Sequence, residues 1–250
     1  MDNPFPPTRL ALEHPNGLLA SGGDLTASTL IKAYTQGIFP WFEEGQPILW
    51  WSPDPRLVLY PRHIRISTSM AKLLRHTPWR IDYDTCFVEV MARCADAPRA
   101  SQAEPGTWIT GTMQSAYHAL HSMGLAHSIE IFDGRRLIGG LYGLLIDRVF
   151  YGESMFSLEK NTSKVALIAL ARIARQNGIA LIDCQVDNPH LASLGAQLIS
   201  REDFEKSLRS AIKIPMERIL TQPLTVVPSE AVPLSHRLIH PLPREGSDLL

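Results

Sequence analysis

The sequence predicts a mixed α+β or α/β protein, in which a small N-terminal domain precedes a larger C-terminal one. Three observations carry this. Ser128–Phe132 and Leu137–Leu145 are apolar runs rich in strand formers, joined by Asp133-Gly134, the dipeptide of a tight hairpin turn. Val149–Gly152 and Ala180–Asp183 read as two further strands. Between them a helical pattern opens at Asn161 or Thr162, runs through Gln176 and stops at Asn177-Gly178, so strand, helix and strand form a crossover unit. Residues 95–106 are polar and carry Pro98, Pro105 and Gly106, which places a domain seam there. The expected division is an irregular arm over 1–15, an N-terminal α/β domain over 16–98, a C-terminal domain over 99–215 and a Pro-rich tail over 216–250.

Composition narrows the class. In 250 residues, 45% hydrophobic and 20% charged content describes an ordinary globule, and no apolar run approaches the ~18 residues of a membrane span. The N-terminus has neither a basic nor an apolar leader region. Cys86, Cys94 and Cys184 are odd in number and lack CxxC spacing, which fits buried thiols in a cytoplasmic protein better than a disulfide frame. The formal net charge of −1 hides an uneven distribution. From Pro55 to Ile81 there is no Asp or Glu, while Arg56, Arg62, Arg65, Lys72, Arg75 and Arg80 fall there with His63 and His76. Such a segment is either a solvated basic face or a footprint for a polyanion.

Along the N-terminal part, Asn16–Leu25 is a glycine-rich turn without the Lys-Ser/Thr of a phosphate-binding loop. Asp24 or Thr26 can cap a helix reaching about Gln36, ended by Gly37. Trp41, Trp50 and Trp51 follow within eleven residues and are framed by prolines. Rigid aromatics of this kind either pack or stack on a flat ligand, and Trp41, restrained by Pro40, is the candidate contact. Leu57–Tyr60 reads as a strand. Ser67 or Ser69 caps a helix that turns Met70, Leu73 and Leu74 inward and sets Lys72, Arg75 and His76 on one outward face. Arg80–Tyr83 is a second strand and Phe87–Cys94 a helix.

In the C-terminal part, Met113–Met123 is a helix whose His118 and His121 are spaced i, i+3, with no completing ligand set, so no metal site is expected. Gly139, Gly140 and Gly143 inside the second hairpin arm point to a bulge or a close approach by a ligand. Asn188-Pro189 is an N-cap with Pro at the first helical position, and Ser200–Asp203 resembles a capping box. Residues 221–250 show no periodic pattern and read as a flexible tail.

Two carboxylates stand out. Glu153 follows Phe150 and Gly152, and Asp183 follows Leu181 and Ile182, each where an apolar strand runs into polar groups. A carboxylate so placed is costly unless it is paired or functional. Each alone can cap a helix or pair with Arg. Joined by one crossover, they form a candidate site, since ligands gather at strand ends in α/β layers.

Six segments then appear in the order of a known family: His14–Leu25, Gly37–Phe42, Trp50–Arg56, Gly106–Thr110, Gly152–Ser157 and Leu181–Gln185. Over about residues 14–213 the chain resembles bacterial leucyl/phenylalanyl-tRNA–protein transferases. The resemblance implies a C-terminal domain similar to the N-acetyltransferase (GNAT) fold. It implies transfer of Leu or Phe from Leu-tRNA or Phe-tRNA to proteins with N-terminal Arg or Lys, marking them for degradation under the N-end rule. It implies no cofactor, and it marks positions 153 and 183–185 as functional. It also places Leu141, Phe150, Met155 and Ile182 in the aminoacyl pocket.

The chemistry needs no ATP, because the aminoacyl ester is already activated. A neutral α-amine must sit near the ester carbonyl, lose a proton and meet a stabilised oxyanion. Asp183 is expected to act as base or as positioner, directly or through Gln185. Glu153 is expected to bind the acceptor's cationic side chain or orient the leaving ribose, with Asn188 as a second acceptor contact. Trp41 and Trp108 are candidates to cover the terminal adenosine. Lys72, Arg75, His76 and Arg80 are candidates for tRNA phosphates. The rival readings are an acyl-CoA-dependent N-acetyltransferase and a non-catalytic RNA-binding module. Residues 157–164 lack the glycines of a pyrophosphate turn, which speaks against the first, and retention of Asp183 and Gln185 speaks against the second.

Overall fold

In the computed structural model, which describes residues 3–97, 107–215, 218–219 and 232–233, the hairpin expected at Asp133-Gly134 is the spine of the sheet. Its arms are β6 (Ala126–Asp133) and β7 (Arg136–Ile146). Next to β7 lies β8 (Val149–Ser157), then β9 (Leu181–Gln185), β4 (Arg56–Leu59) and the edge strand β10 (Gln197–Ile199). On the other side β6 pairs with β5 (Arg80–Tyr83), which pairs with β11 (Val232–Pro233). All pairings in this eight-stranded sheet are antiparallel except β8 with β9, which are joined by α5 (Thr162–Gln176) as a crossover.

Helices cover both faces. On one face α5 packs Val165, Leu167, Ile168 and Leu170 onto Ile131, Ile138, Leu141 and Ile182, and α2 (Thr68–His76) adds Met70 and Leu74. On the other, α1 (Ala27–Thr35), α3 (Phe87–Asp96), α4 (Gly111–Ser122) and α7 (Arg201–Ala211) enclose Val58, Tyr142, Leu144, Tyr151 and Leu181. Ser67 and Thr26 accept hydrogen bonds from Met70 N and Thr29 N as N-caps of α2 and α1, and Ser200 caps α7 by accepting from Asp203 N.

The expected division of the chain is drawn differently by hydrogen bonding. Strands β4 and β5 come from the segment read as the N-terminal domain, yet both belong to the large sheet. What stands apart is a three-stranded sheet of β1 (Leu18–Ser21), β3 (Leu49–Trp51) and β2 (Phe39–Pro40), in the order β1-β3-β2. The arm is built rather than irregular: it carries a short 3-10 turn at Thr8–Leu10 and buries Phe5 edge-on against Trp50, 4.8 Å between ring centroids. Of the tail, Val232–Pro233 pairs with Ile81 and Arg80 of β5, and the rest of the unpatterned segment falls outside the described residues, as do 98–106 of the seam loop.

The three hairpin glycines are explained by the chain itself. A Cβ at Gly139 would lie 2.4 Å from Thr162, one at Gly140 2.6 Å from the Ile129 carbonyl, and one at Gly143 2.1 Å from the Tyr151 carbonyl and 2.6 Å from the Phe150 ring. The β7–β8 register shifts between Tyr142 and Gly143, so the expected bulge is there, and the close approach is by neighbouring strands and α5.

Candidate active site

The site opens where two strands part. The parallel pairs run Val149↔Leu181, Phe150↔Ile182 and Tyr151↔Asp183. Beyond them β8 continues with β7 to Ser157, while β9 turns away at Gln185, whose φ of +64 is in the left-handed region. Glu153 therefore lies inside a strand, not past its end as its polar neighbours suggested. Pairing with β7 carries β8 onward. The gap between β8 and β9 leads into a cavity of about 640 Å³. Trp41, Trp108, Leu141, Phe150, Met155, Ile182, Glu153, Gln185 and Asn188 all line it, together with Leu167, Leu170, Cys184, Val186, Asp187 and His190.

The inner end is apolar, formed by Leu141, Phe150, Ile182, Leu167 and Leu170 from β7, β8, β9 and α5. The mouth carries Trp41, which is 43% exposed. Trp51 braces it, donating its indole N–H to the Trp41 carbonyl at 2.7 Å with the rings 5.6 Å apart. Trp50 faces the other way, buried, and donates to the Gly22 carbonyl at 2.8 Å. Of the three clustered tryptophans, Trp51 thus positions Trp41, while Trp50 anchors the glycine-rich turn. Burial pushes the thiol of Cys184 far up, which holds it protonated and makes it a wall rather than a nucleophile.

Glu153 is the polar centre. One carboxylate oxygen accepts from the Tyr34 hydroxyl at 2.7 Å and from Gln185 Nε2 at 3.1 Å, and the other accepts from the Tyr117 hydroxyl at 2.9 Å. The two hydroxyls also touch each other. Four elements meet here: α1 brings Tyr34, α4 Tyr117, β8 Glu153 and β9 Gln185. Burial raises the Glu153 carboxyl to about 7, against the lowering effect of Tyr34, Tyr117 and Gln185. The same burial, with the Glu153 charge beside them, pushes both phenols well above their usual range, so they remain donors.

Asp183 lies elsewhere. It has no exposed surface and is not part of the cavity wall. Its Oδ1 accepts from Arg56 Nε at 2.8 Å and from the backbone N–H of Gln185 at 2.9 Å, and its Oδ2 accepts from Arg56 Nη2 at 2.7 Å. Arg56 is itself buried, sandwiched between Phe39 at 4.8 Å and Phe204 at 4.6 Å, and donates to the Gly37 carbonyl at 3.0 Å. The base role expected of Asp183 is corrected on these grounds, because its oxygens are enclosed and engaged. Its contact with the site is the hydrogen bond that holds Gln185 in its left-handed turn.

Two further expectations change. Asn188 caps α6 (Pro189–Ser193), its side-chain oxygen accepting from His190 N at 2.9 Å and Leu191 N at 3.3 Å. The NH₂ left over can only donate, so it cannot serve an acceptor's cation. Arg80 is paired with Asp82 at 2.8 Å and its guanidinium lies 4.8 Å over Phe132, so it stays exposed but shares its charge with a carboxylate, unlike the cations of α2. Lys72, Arg75 and His76 are exposed together on the outer side of α2. His121 stacks on Phe87 at 4.2 Å and bonds the Ala126 carbonyl through Nδ1, and no metal-ligating cluster occurs among the described residues.

Sequence reasoning passed over Tyr34 and Tyr117, and counted Arg56 only as part of the basic segment. Tyr34 and Tyr117 occupy the apolar stripes of α1 and α4, where they read as core. The usable signal was the hydroxyl, which needs a partner when buried. For Arg56 it was a guanidinium at the head of the strand Leu57–Leu59, which demands a buried carboxylate.

Comparison with known proteins gives the family. The family model of the leucyl/phenylalanyl-tRNA protein transferase matches residues 58–209, and that of the N-terminal domain of the same family matches 23–54. The chain belongs to this family. A leucyl/phenylalanyl-tRNA--protein transferase of Xanthomonas euvesicatoria is 56% identical over 80% of this chain and 80% of its own length. Another, from Ectopseudomonas mendocina, is 53% identical over 84% of this chain and 92% of its own. Among solved structures, a GCN5-related N-acetyltransferase from Kribbella flavida is similar at TM-score 0.35 and 12% identity, over 70% of this chain and 61% of that one. The family's two models meet close to β4, so the three-stranded sheet precedes the main unit, as the hydrogen bonding also divides it. No helix among the described residues is long and apolar enough to cross a membrane.

Proposed function

We propose that the chain is a cytoplasmic aminoacyltransferase that moves Leu or Phe from Leu-tRNA or Phe-tRNA to the α-amine of proteins with N-terminal Arg or Lys, and so takes part in N-end rule degradation. The observation that carries this reading is the pairing of an aromatic-rimmed cavity with an apolar inner end and a buried carboxyl raised to about 7 at its wall. The aminoacyl side chain enters the apolar end, where Leu141, Phe150, Met155 and Ile182 exclude water, and Trp41 and Trp108 flank the adenosine. The acceptor nitrogen attacks the ester carbonyl carbon, the C–N bond forms, and the C–O bond to the ribose breaks. The proton leaving the nitrogen passes to Glu153, which returns it to the departing ribose oxygen. A base whose affinity for protons lies near the working pH suits both halves of that exchange. Tyr34, Tyr117 and Gln185 fix the carboxylate throughout, and Asp183 positions Gln185. Among the described residues the cavity wall carries no Lys or Arg for a pyrophosphate, which speaks against an acyl-CoA donor.

The test is transfer of radiolabelled leucine from Leu-tRNA to a protein beginning with Arg. Transfer supports the reading, and tight tRNA binding without transfer would leave the RNA-binding module in its place. The outer face of α2 adds a second expectation. Replacing Lys72 and Arg75 with Ala should weaken tRNA binding at all sequences alike and flatten its salt dependence by about two phosphate contacts, or a change of about 1.8 in the log–log slope. An unchanged slope would move the tRNA track off this helix.

A further inference from the structure

Among the described residues the cavity wall holds two carboxylates, Glu153 and Asp187, and no Lys or Arg. Their situations are opposite. Glu153 is buried and bonded to two phenols and an amide. Asp187 is exposed at the mouth, and no hydrogen bond or ion pair engages its side chain among the described residues. It lies two residues beyond Gln185, a span of at most about 7 Å of chain, comparable with the reach of an extended Arg or Lys side chain. Gln185 bonds Glu153 at 3.1 Å and both carboxylates line the same cavity, so an acceptor whose α-amine meets Glu153 and whose side chain points to the mouth carries its cation toward Asp187.

The geometry points to Asp187 as the specificity-determining residue for a cationic N-terminal side chain on the acceptor. This rests on the proposed acceptor class and assigns its recognition to one group. Three features support it. The oxygen of Asn188 is occupied in capping α6, so the neighbouring amide cannot accept from a cation. A Glu153 that must take up a proton is a poor permanent counter-charge, since it is neutral for part of the cycle. The turn at Gln185, with φ +64, redirects the chain so that residues 186–188 form the lip of the cavity instead of continuing the strand. A free carboxylate on that lip selects charge at entry and leaves the proton chemistry to the floor.

The experiment compares two acceptor peptides that differ only in the first residue, Arg or its neutral isostere citrulline, with wild type, Asp187→Asn and Asp187→Lys. The ratio of kcat/KM for Arg over citrulline cancels any general effect on folding or tRNA binding. An ion pair at a wet rim contributes modestly, so Asp187→Asn should lower that ratio roughly fivefold, through KM with kcat unchanged. Asp187→Lys should lower it further, because a like charge then opposes the acceptor, and the remaining preference should respond to salt. A wild-type ratio well above one that both variants preserve would overturn the assignment of Asp187 while the acceptor class stands. A wild-type ratio near one would overturn the acceptor class and this assignment with it.

Discussion

Glu153→Gln is expected to lower kcat for leucyl transfer by about 10²–10⁴-fold, the range of a lost general base, while leaving aminoacyl-tRNA affinity within a few-fold. The amide keeps the size of the carboxyl and can still bond Tyr34, Tyr117 and Gln185, so the loss isolates proton transfer from packing. In the wild type the rate should rise with pH through about 7, as the buried carboxyl ionises. Stability should move the other way. The folded-state value is raised above the ordinary 4.5, so the folded protein holds this proton more tightly than the unfolded chain does. The associated stability is fully present below 4.5 and is lost as pH rises through about 7. A shift of that size corresponds to roughly 3 kcal/mol, at about 1.4 kcal/mol per pH unit. Denaturant titrations at pH 5 and pH 8 should show the wild type losing stability between them and Glu153→Gln losing less. A variant that transfers leucine at the wild-type rate would remove Glu153 from the chemistry, and an unchanged pH dependence of stability would remove the burial argument.

That Glu153 and Asp183 are buried among partners from distant parts of the chain explains why part of the candidate site was legible and part was not. The apolar strands, the Asp133-Gly134 turn and the capped helices follow from local pattern, and the structure keeps α5 close to its expected limits and starts α7 at the expected capping box. Trp41 was readable because prolines and neighbouring tryptophans fix an aromatic that the core does not claim. Glu153 and Asp183 looked alike because local sequence shows only a charge after apolar residues. Their difference depends on partners distant in the chain: Arg56 lies 127 residues from Asp183, and Tyr34 lies 119 from Glu153. The extent of β8 was hidden for the same reason. Gly152, Glu153 and Ser154 are weak strand formers, and their strand is fixed by the β7 register rather than by propensity. Arg80 shows the limit of counting charge along a segment, since its ion-pair partner Asp82 lies just past the segment's end.

The buried Arg56–Asp183 pair yields the second large effect. Arg56→Met alone should destabilise the fold by about 3–5 kcal/mol, because it leaves an unpaired carboxylate with no exposed surface. Asp183→Leu alone should cost a similar amount by stranding the guanidinium. The double variant Arg56→Met/Asp183→Leu fills the same space with apolar groups against Phe39 and Phe204, and should recover most of that loss, as replaced buried pairs commonly do. Activity should not recover with it. In the double variant nothing accepts the Gln185 N–H, so the left-handed turn that aims its amide at Glu153 relaxes. A misplacement of about 1 Å at a reacting group can cost about 10²-fold in rate. The expected pattern is a near-native denaturation midpoint with transfer reduced by about that factor, in kcat more than in KM. Adding Asp183→Asn to Arg56→Met, which restores a neutral acceptor for Gln185 N–H, should return part of the rate without the charge. If the Arg56→Met/Asp183→Leu variant is both stable and fully active, the pair serves the fold alone. If it is stable and slow, and the asparagine variant is faster, a salt bridge outside the cavity sets the geometry of the chemistry within it.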